Sequence, residues 1–294
     1  MLLLLLVHLF HLDAHAEARP FAASTLLLLT AALLILTAVR ITSIAAFAHL
    51  LFWKLLKDRW QHRRIQPRFP QAARVWSEFR WSLSTSVIYA VLGVLTYLPV
   101  RAGYTRSYAR IADHGWTYFV VSIVLMVLLH DAYFYWTHRL LHLRPLFSRF
   151  HRVHHESFNP SPWAAFSFHP VEAVISYGIV PLGLFLIPMH LTALGAYLLY
   201  MNVINVVGHL GYEVFPRGTV RHWLGRLHAT STHHNMHHRL VHFNFGLYFM
   251  WWDWLMRSNH AAYEETFEKV YSQPSMRNRV VPSGEATRAW RRPA

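Results

Sequence analysis

Long apolar runs separated by short basic segments dominate the chain. Residues 24–53 are apolar apart from Arg40 and His49, long enough to cross a bilayer with some tilt. Residues 82–100 and 116–136 predict a second and a third span. Residues 171–189 and 191–207 predict a fourth and a fifth, separated only by His190 with Pro188 just before it. That junction reads as a tight helical hairpin, with its tip at the far face of the bilayer, or partway across if the helices are short. Residues 247–255 are apolar but too short to span, and predict an interfacial or buried segment. The apolar start, residues 1–10, is followed by small and polar residues that could mark a cleaved signal. It lacks a basic leading region, so an upstream extension or interfacial helix is the plainer reading. The pattern predicts an all-α, polytopic membrane bundle of four or five spans.

Charge orients these spans. The loop 54–80 carries Lys54, Lys57, Arg59, Arg63, Arg64, Arg68, Arg74 and Arg80 against only Asp58 and Glu78. The loop after the second span carries Arg101, Arg106 and Arg110. The richer loop is cytoplasmic by the positive-inside rule. The third span then ends at the cytoplasmic face near His138, and the hairpin returns His209 to the same face. Three regions follow: an N-terminal segment 1–80 with one span and the basic loop, a membrane domain 81–260, and a polar basic tail 261–294.

Composition sharpens this picture. Charged residues make up 14% of the 294 residues, against about 25% in soluble domains, which points to lipid or to an unusually large core. Cysteine is absent, which excludes disulfides, iron–sulfur clusters and thiolate zinc sites. The formal net charge of +14 does not indicate nucleic acid, because the basic residues flank apolar runs and no nucleic-acid motif is present. Of 23 histidines, 16 lie between His130 and His242.

These histidines fall into clusters. His138-Arg139-Leu140-Leu141-His142 has the i,i+4 spacing that puts two imidazoles on one helix face. His151-Arg152-Val153-His154-His155 has i,i+3 and i,i+4 spacings, and both recur in His233-His234-Asn235-Met236-His237-His238. His209 stands four residues after Asn205. Lone histidines such as His49, His114 and His260 read as surface or hydrogen-bonded residues, and His8, His11 and His15 as at most an adventitious metal patch. A carboxylate-bridged di-iron bundle needs Glu-x-x-His units that this region lacks. A zinc protease needs His-Glu-x-x-His, and His155-Glu156 lacks the second histidine. What remains is a site of eight or more imidazoles, too many for one ion and enough for two. Imidazole alone does not select among zinc, copper, iron and nickel.

Ligating histidines usually donate their other N–H to a carboxylate or carbonyl. Asp131, in the third span and seven residues before His138, is the leading candidate for that orienting role, with Arg139 as a competing ion-pair partner. Glu172, Asn202, Asn205 and Asn244 are further candidates.

With these residues assembled, the sequence resembles the fatty acid hydroxylase and sterol desaturase superfamily of membrane enzymes. The carriers are the run from His130-Asp131 to His142, His151-Arg152-Val153-His154-His155-Glu156, Phe168-His169-Pro170-Val171-Glu172, Gly208-His209, the 233–238 cluster, Asn244-Phe245-Gly246 and Trp252-Asp253. The resemblance covers residues 116–257. It implies a di-iron centre facing the cytoplasm in a histidine-rich helical cap, dioxygen as oxidant and a membrane lipid as substrate. The ligand set it implies is His138, His142, His151, His154, His155, His209, His233, His234, His237 and His238. The third box carries a spare histidine, and His228 is an alternative. His169 is implied to act behind the ligands. Electrons are expected from a separate cytochrome- or ferredoxin-type protein. The expected chemistry is hydroxylation or desaturation at an unactivated C–H bond. A histidine-relay metal transporter would place ionisable residues deep in several spans. A non-catalytic lipid-binding relative would be expected to lose box histidines. Neither pattern is present.

Overall fold

The computed structural model describes residues 23–272. The apolar start, His8, His11, His15 and the chain beyond 272 lie outside the described residues. Helix α1, Ala23–Ala48, runs on through a π-helical stretch, His49–Leu55. Helix α2 is Ala72–Arg101 and α3 is Gly115–Leu141. After a single turn and the π-helical Phe147–His151 comes α4, Arg152–His155. Then follow α5, Pro170–Tyr177, α6, Ile179–Leu186, and α7, Leu191–Gly208. The remaining helices are α8, Ser231–Leu240, α9, Trp251–Leu255, and α10, Tyr263–Tyr271.

Four helical stretches are long and apolar enough to cross a membrane: Leu26–Leu55, Ala72–Arg101, Gly115–Leu141 and Leu191–Gly208. Large apolar side chains such as Leu27, Leu28, Phe47, Trp116 and Val120 stand exposed on these helices. Outside lipid such faces would be unfavourable, so the bundle is that of an integral membrane protein. The expected fourth span is different. Pro170–Leu186 is a shorter apolar stretch made of two eight-residue helices meeting at Gly178. Pro170 opens α5 at a position where its missing N–H costs nothing.

The hairpin tip is fastened at one end of the bundle. Strand β1, Ser107–Tyr108, pairs in parallel with β2, Met189–His190. The Arg106 N–H donates to the Leu184 carbonyl at 2.9 Å, and His190 Nε2 lies 2.8 Å from the Ala109 carbonyl. The C-terminus of α2, the N-terminus of α3 and the hairpin tip therefore share that end.

The basic loop lies at the other end. Trp53 Nε1 donates to the Leu210 carbonyl at 2.8 Å, and Arg64 pairs with Tyr212 in an isolated antiparallel bridge. Arg74 forms an ion pair with Glu156 at 2.9 Å. Loop 54–80 thus contacts the chain just after the histidine-bearing ends of α4 and α7. Residues 261–272, expected as part of a polar tail, instead contain α10. Its Tyr263, Phe267 and Val270 recur at helical spacing, are buried, and Tyr263 and Phe267 pack with Met236 of α8.

On α6, a Cβ at Gly183 would collide with the end of the fully buried Met126 side chain of α3. Gly183→Ala should lower thermal stability in detergent by about 1–3 kcal/mol, the usual cost of overpacking. Adding Met126→Ala should recover part of that loss in a double-mutant cycle. Equal melting of Gly183→Ala and the parent would show that the contact does not constrain the hairpin.

Candidate metal centre

Two groups of histidines converge at the end of the bundle that carries the basic loop. The first is His138, His142, His151, His155 and His237; the second is His154, His209, His234 and His238. Within each group, one ring nitrogen per residue lies within 4.8 Å of all the others. All are buried except His142, which is half-buried. Ligands four residues apart on a helix stay in the same group. His138 and His142 share one face at the end of α3. Around α4, His151 and His155 turn to the first group while His154 turns to the second. On α8, His237 faces the first group and His234 and His238 the second. The two short helices therefore contribute to both groups at once. Helix α8 is held at its start by the Thr230 hydroxyl, which accepts from the His233 N–H at 3.3 Å, and by the Glu213 carboxylate, which accepts from the Thr232 N–H at 2.8 Å.

Hydrogen bonds on the outer nitrogens settle which ring nitrogen is bare. The Nδ1 of His138 donates to the Phe245 carbonyl (3.0 Å), that of His209 to the Asn205 carbonyl (2.7 Å) and that of His237 to the Phe243 carbonyl (2.7 Å). A carbonyl can only accept, so in the neutral ring Nε2 carries a lone pair. His151 Nδ1 lies 2.8 Å from Glu172 Oε1. Yet His138 Nε2 is 3.1 Å from His151 Nε2, and His209 Nε2 lies 3.4, 3.0 and 3.2 Å from the Nε2 atoms of His154, His234 and His238. Protonation does not relieve the crowding. Burial, reinforced by neighbouring imidazoles, holds His154, His155, His234 and His238 well below the ordinary histidine value, and burial lowers His209 to about 4.

Bare nitrogens packed this closely fit a shared cation. Imidazole–metal bonds of about 2.1 Å, as zinc makes, place neighbouring donors about 3.0 Å apart at right angles and about 3.4 Å apart at the tetrahedral angle. The observed separations span that interval. The donors are all nitrogen, a set that suits iron among the imidazole-binding metals.

The structure distributes the other expected residues differently. Glu172, not Asp131, is the carboxylate on a clustered histidine. Asp131 accepts from the Tyr248 N–H (3.3 Å), the Phe249 N–H (3.1 Å) and Trp251 Nε1 (2.6 Å). Its seven-residue spacing from His138 gives a shared helix face but not a shared partner. Asp253 does similar work, accepting from the Phe245 and Gly246 N–H groups at 2.9 and 2.8 Å. The two buried carboxylates thus hold the segment whose Phe245 carbonyl orients His138. Arg139 lies over the rings of Tyr135 and Phe245 rather than against Asp131. His169 caps α5, its Nδ1 accepting from the Val171 N–H at 3.2 Å, and so acts on the helix that carries Glu172. His233 joins neither group; its Nε2 is 3.5 Å from Asp253 Oδ2 and its ring stacks edge-on to Tyr263. His228 is exposed and bridges to Phe249.

A cavity of about 420 Å³ adjoins the second group. It is walled by α1, α2, α3 and α7 and by the hairpin arm, and is predominantly apolar. His130, Phe134, Phe168, Ser176 and Asn205 line both this cavity and a small pocket that reaches His138, His154, His209 and His234. His130 Nδ1 lies 2.8 Å from each of the Tyr197 and Tyr248 hydroxyls.

An apolar chamber that shares wall residues with a pocket at two imidazole clusters, inside a membrane bundle, defines a class, the histidine-box oxidoreductases of lipids. Comparison with known proteins agrees. Residues 123–258 match the fatty acid hydroxylase family. The chain is 29% identical over 245 residues to a delta(7)-sterol 5(6)-desaturase of Aspergillus fumigatus, covering 78% of this chain and 75% of that protein. It is 28% identical over 205 residues to a delta(7)-sterol 5(6)-desaturase of Gibberella zeae, covering 69% and 62%. It is 35% identical over 166 residues to lathosterol oxidase of Mus musculus, covering 54% and 52%. No solved structure matches the chain. These matches and the two histidine clusters support membership of the fatty acid hydroxylase and sterol desaturase superfamily and a di-iron oxidoreductase function.

The two kinds of buried carboxylate separate by experiment. Glu172→Gln should weaken metal retention about 10–100-fold, the usual effect of losing a group that orients a ligand. Asp131→Asn should instead destabilise the protein by about 1–3 kcal/mol, because an amide nitrogen then faces buried N–H donors. Metal content and melting temperature, measured on both variants, check this; metal loss from Asp131→Asn at unchanged stability would reverse the assignment.

Proposed function

We propose that the protein uses dioxygen to cleave an unactivated C–H bond of one membrane lipid held in the 420 Å³ cavity, giving a hydroxylated or desaturated product. The observation that carries this reading is the shared lining of the cavity and the histidine pocket. His138, His142, His151, His155 and His237 would hold one iron, and His154, His209, His234 and His238 the other. Bound there, the irons supply the activation of dioxygen that C–H cleavage requires. The chain supplies the rest. Phe134 and Phe168 narrow the passage so that one segment of the lipid reaches the clusters. The apolar lining excludes water, which would otherwise compete for the oxidant. His130 Nδ1 can hold the proton of one of its two tyrosine hydroxyl partners at the edge of the passage.

Two further features belong to this reading. Electrons come from a separate cytochrome- or ferredoxin-type protein, for which the half-buried His142 and the neighbouring groove with Arg139, His242 and Arg257 offer the shortest approach. The histidine clusters face the cytoplasm, a reading supported by the ion pair that joins Arg74 of the basic segment to Glu156, next to His155.

Purified protein should carry two irons per chain and consume dioxygen with a reductant and lipid extract, yielding lipids that have lost two hydrogens or gained one oxygen. His154→Ala combined with His237→Ala should abolish stoichiometric iron; full iron in that variant would sink the assignment. Lathosterol is a rational first substrate, since the relatives named above act on such sterols. Orientation is tested separately. The native chain has no cysteine, and Ser148 is exposed beside the first cluster. A cysteine at Ser148 should resist impermeant maleimide in intact cells and react after permeabilisation.

A further inference from the structure

Arg40 lies midway along the first membrane-crossing stretch, Leu26–Leu55, and lines the lipid cavity. A cation at that depth costs about 3 kcal/mol on insertion scales, and such residues normally pair with an acid. Among the described residues Arg40 makes no ion pair. Within the described residues its guanidinium donates one hydrogen bond, from Nη1 to the Leu198 carbonyl at 3.3 Å. The cavity that Arg40 lines also presents Thr37, Thr96, Ser176 and Tyr177. The helix position itself is fixed independently, by Asn202 Nδ2 donating to the Arg40 carbonyl at 2.8 Å.

From this arrangement we infer that Arg40 binds the oxygenated end of the lipid, a hydroxyl or carboxylate oxygen that accepts from its guanidinium. This inference rests on the cavity being the substrate site and adds what the substrate must carry. Guanidinium donors are strong, forked and permanently charged, so an accepting oxygen there would be held firmly within an otherwise apolar chamber. The position also sets a distance. The guanidinium is level with Leu198, eleven residues before His209 on the same helix, or about 16 Å of helix rise. A lipid anchored at Arg40 therefore presents to the histidines a carbon far from its oxygenated end. In a sterol whose hydroxyl sits at carbon 3, the 5(6) bond is only a few ångströms from that oxygen. The chain would then attack the opposite end of such a molecule, unlike the relatives whose names specify the 5(6) position. A long-chain acid or alcohol would be attacked along its chain.

The test is equilibrium binding without reductant, so that no turnover is involved. The probes are tritiated cholestanol against cholestane, and stearate and octadecanol against octadecane, on purified protein in detergent. The parent should bind the oxygenated member of at least one pair about tenfold or more tightly, as a charge-assisted hydrogen bond provides. The two sets separate a sterol hydroxyl from an acyl-chain oxygen. Arg40→Met should abolish that preference and Arg40→Lys retain part of it. Equal binding within every pair by the parent, or an undiminished preference in Arg40→Met, would overturn the inference. Should Arg40→Met not accumulate, the native chain still decides through photolabelling. A diazirine next to the lipid oxygen should label α1 around Arg40, and one at the opposite end should label around Phe134 or Phe168; the reverse pattern overturns the inference. Selective binding without dioxygen uptake would count against the oxygenase reading and leave Arg40 intact, whereas uptake without selectivity would do the opposite.

Discussion

Imidazole nitrogens that face one another with no proton between them are the constraint around which this structure is arranged. Three of the rings are committed by backbone carbonyls at Asn205, Phe243 and Phe245, so the bare nitrogens point inward. The commitment is only as firm as those carbonyls. That explains the density of buried polar contacts in residues 244–260: Asp131 and Asp253 gather N–H groups of the segment, and Asn244 accepts from the His260 N–H at 2.8 Å. Unsatisfied, such groups would each cost about 1–3 kcal/mol. Satisfied, they fix a loop as rigidly as a helix would.

How much of this the sequence reveals depends on the range of the interaction. The i,i+3 and i,i+4 spacings are local, and they identify the histidine-bearing helices without a structure. Division into two groups is not local. His154 and His155 are adjacent in the chain but serve different groups, because the outcome depends on how α4 lies against α8. Asp131 shows the limit of helical spacing, which aligns faces but cannot name the partner brought from a hundred residues away. Glu172 was visible as one acid among few, yet its approach to His151 needs the π-helical stretch Phe147–His151 and the cap at His169. The extra histidine at 233 looks equivalent to its neighbours in sequence and differs only because Asp253 and Tyr263 stand beside it.

The apolar spans were legible as spans but not as walls. Hydropathy reports that residues prefer lipid or core; it does not report where several such helices fail to close on one another. The chamber arises from that failure, and α1, which carries no motif, forms one side of it. The clustered histidines are drawn from residues 138–238, whereas the chamber beside them is walled partly by α1.

The broken arm of the hairpin has a consequence for the surrounding bilayer. Even as a straight rod, the seventeen residues of Pro170–Leu186 would rise only about 26 Å, less than the roughly 30 Å hydrocarbon core. Its outward residues, including Val174, Phe185 and Leu186, are exposed. Acyl chains bordering this arm must shorten to match it. Hydrophobic mismatch costs fractions of a kcal/mol per ångström, so the bilayer is strained locally beside this arm, whereas α2 and α3, at 30 and 27 residues, are long enough to cross without thinning it.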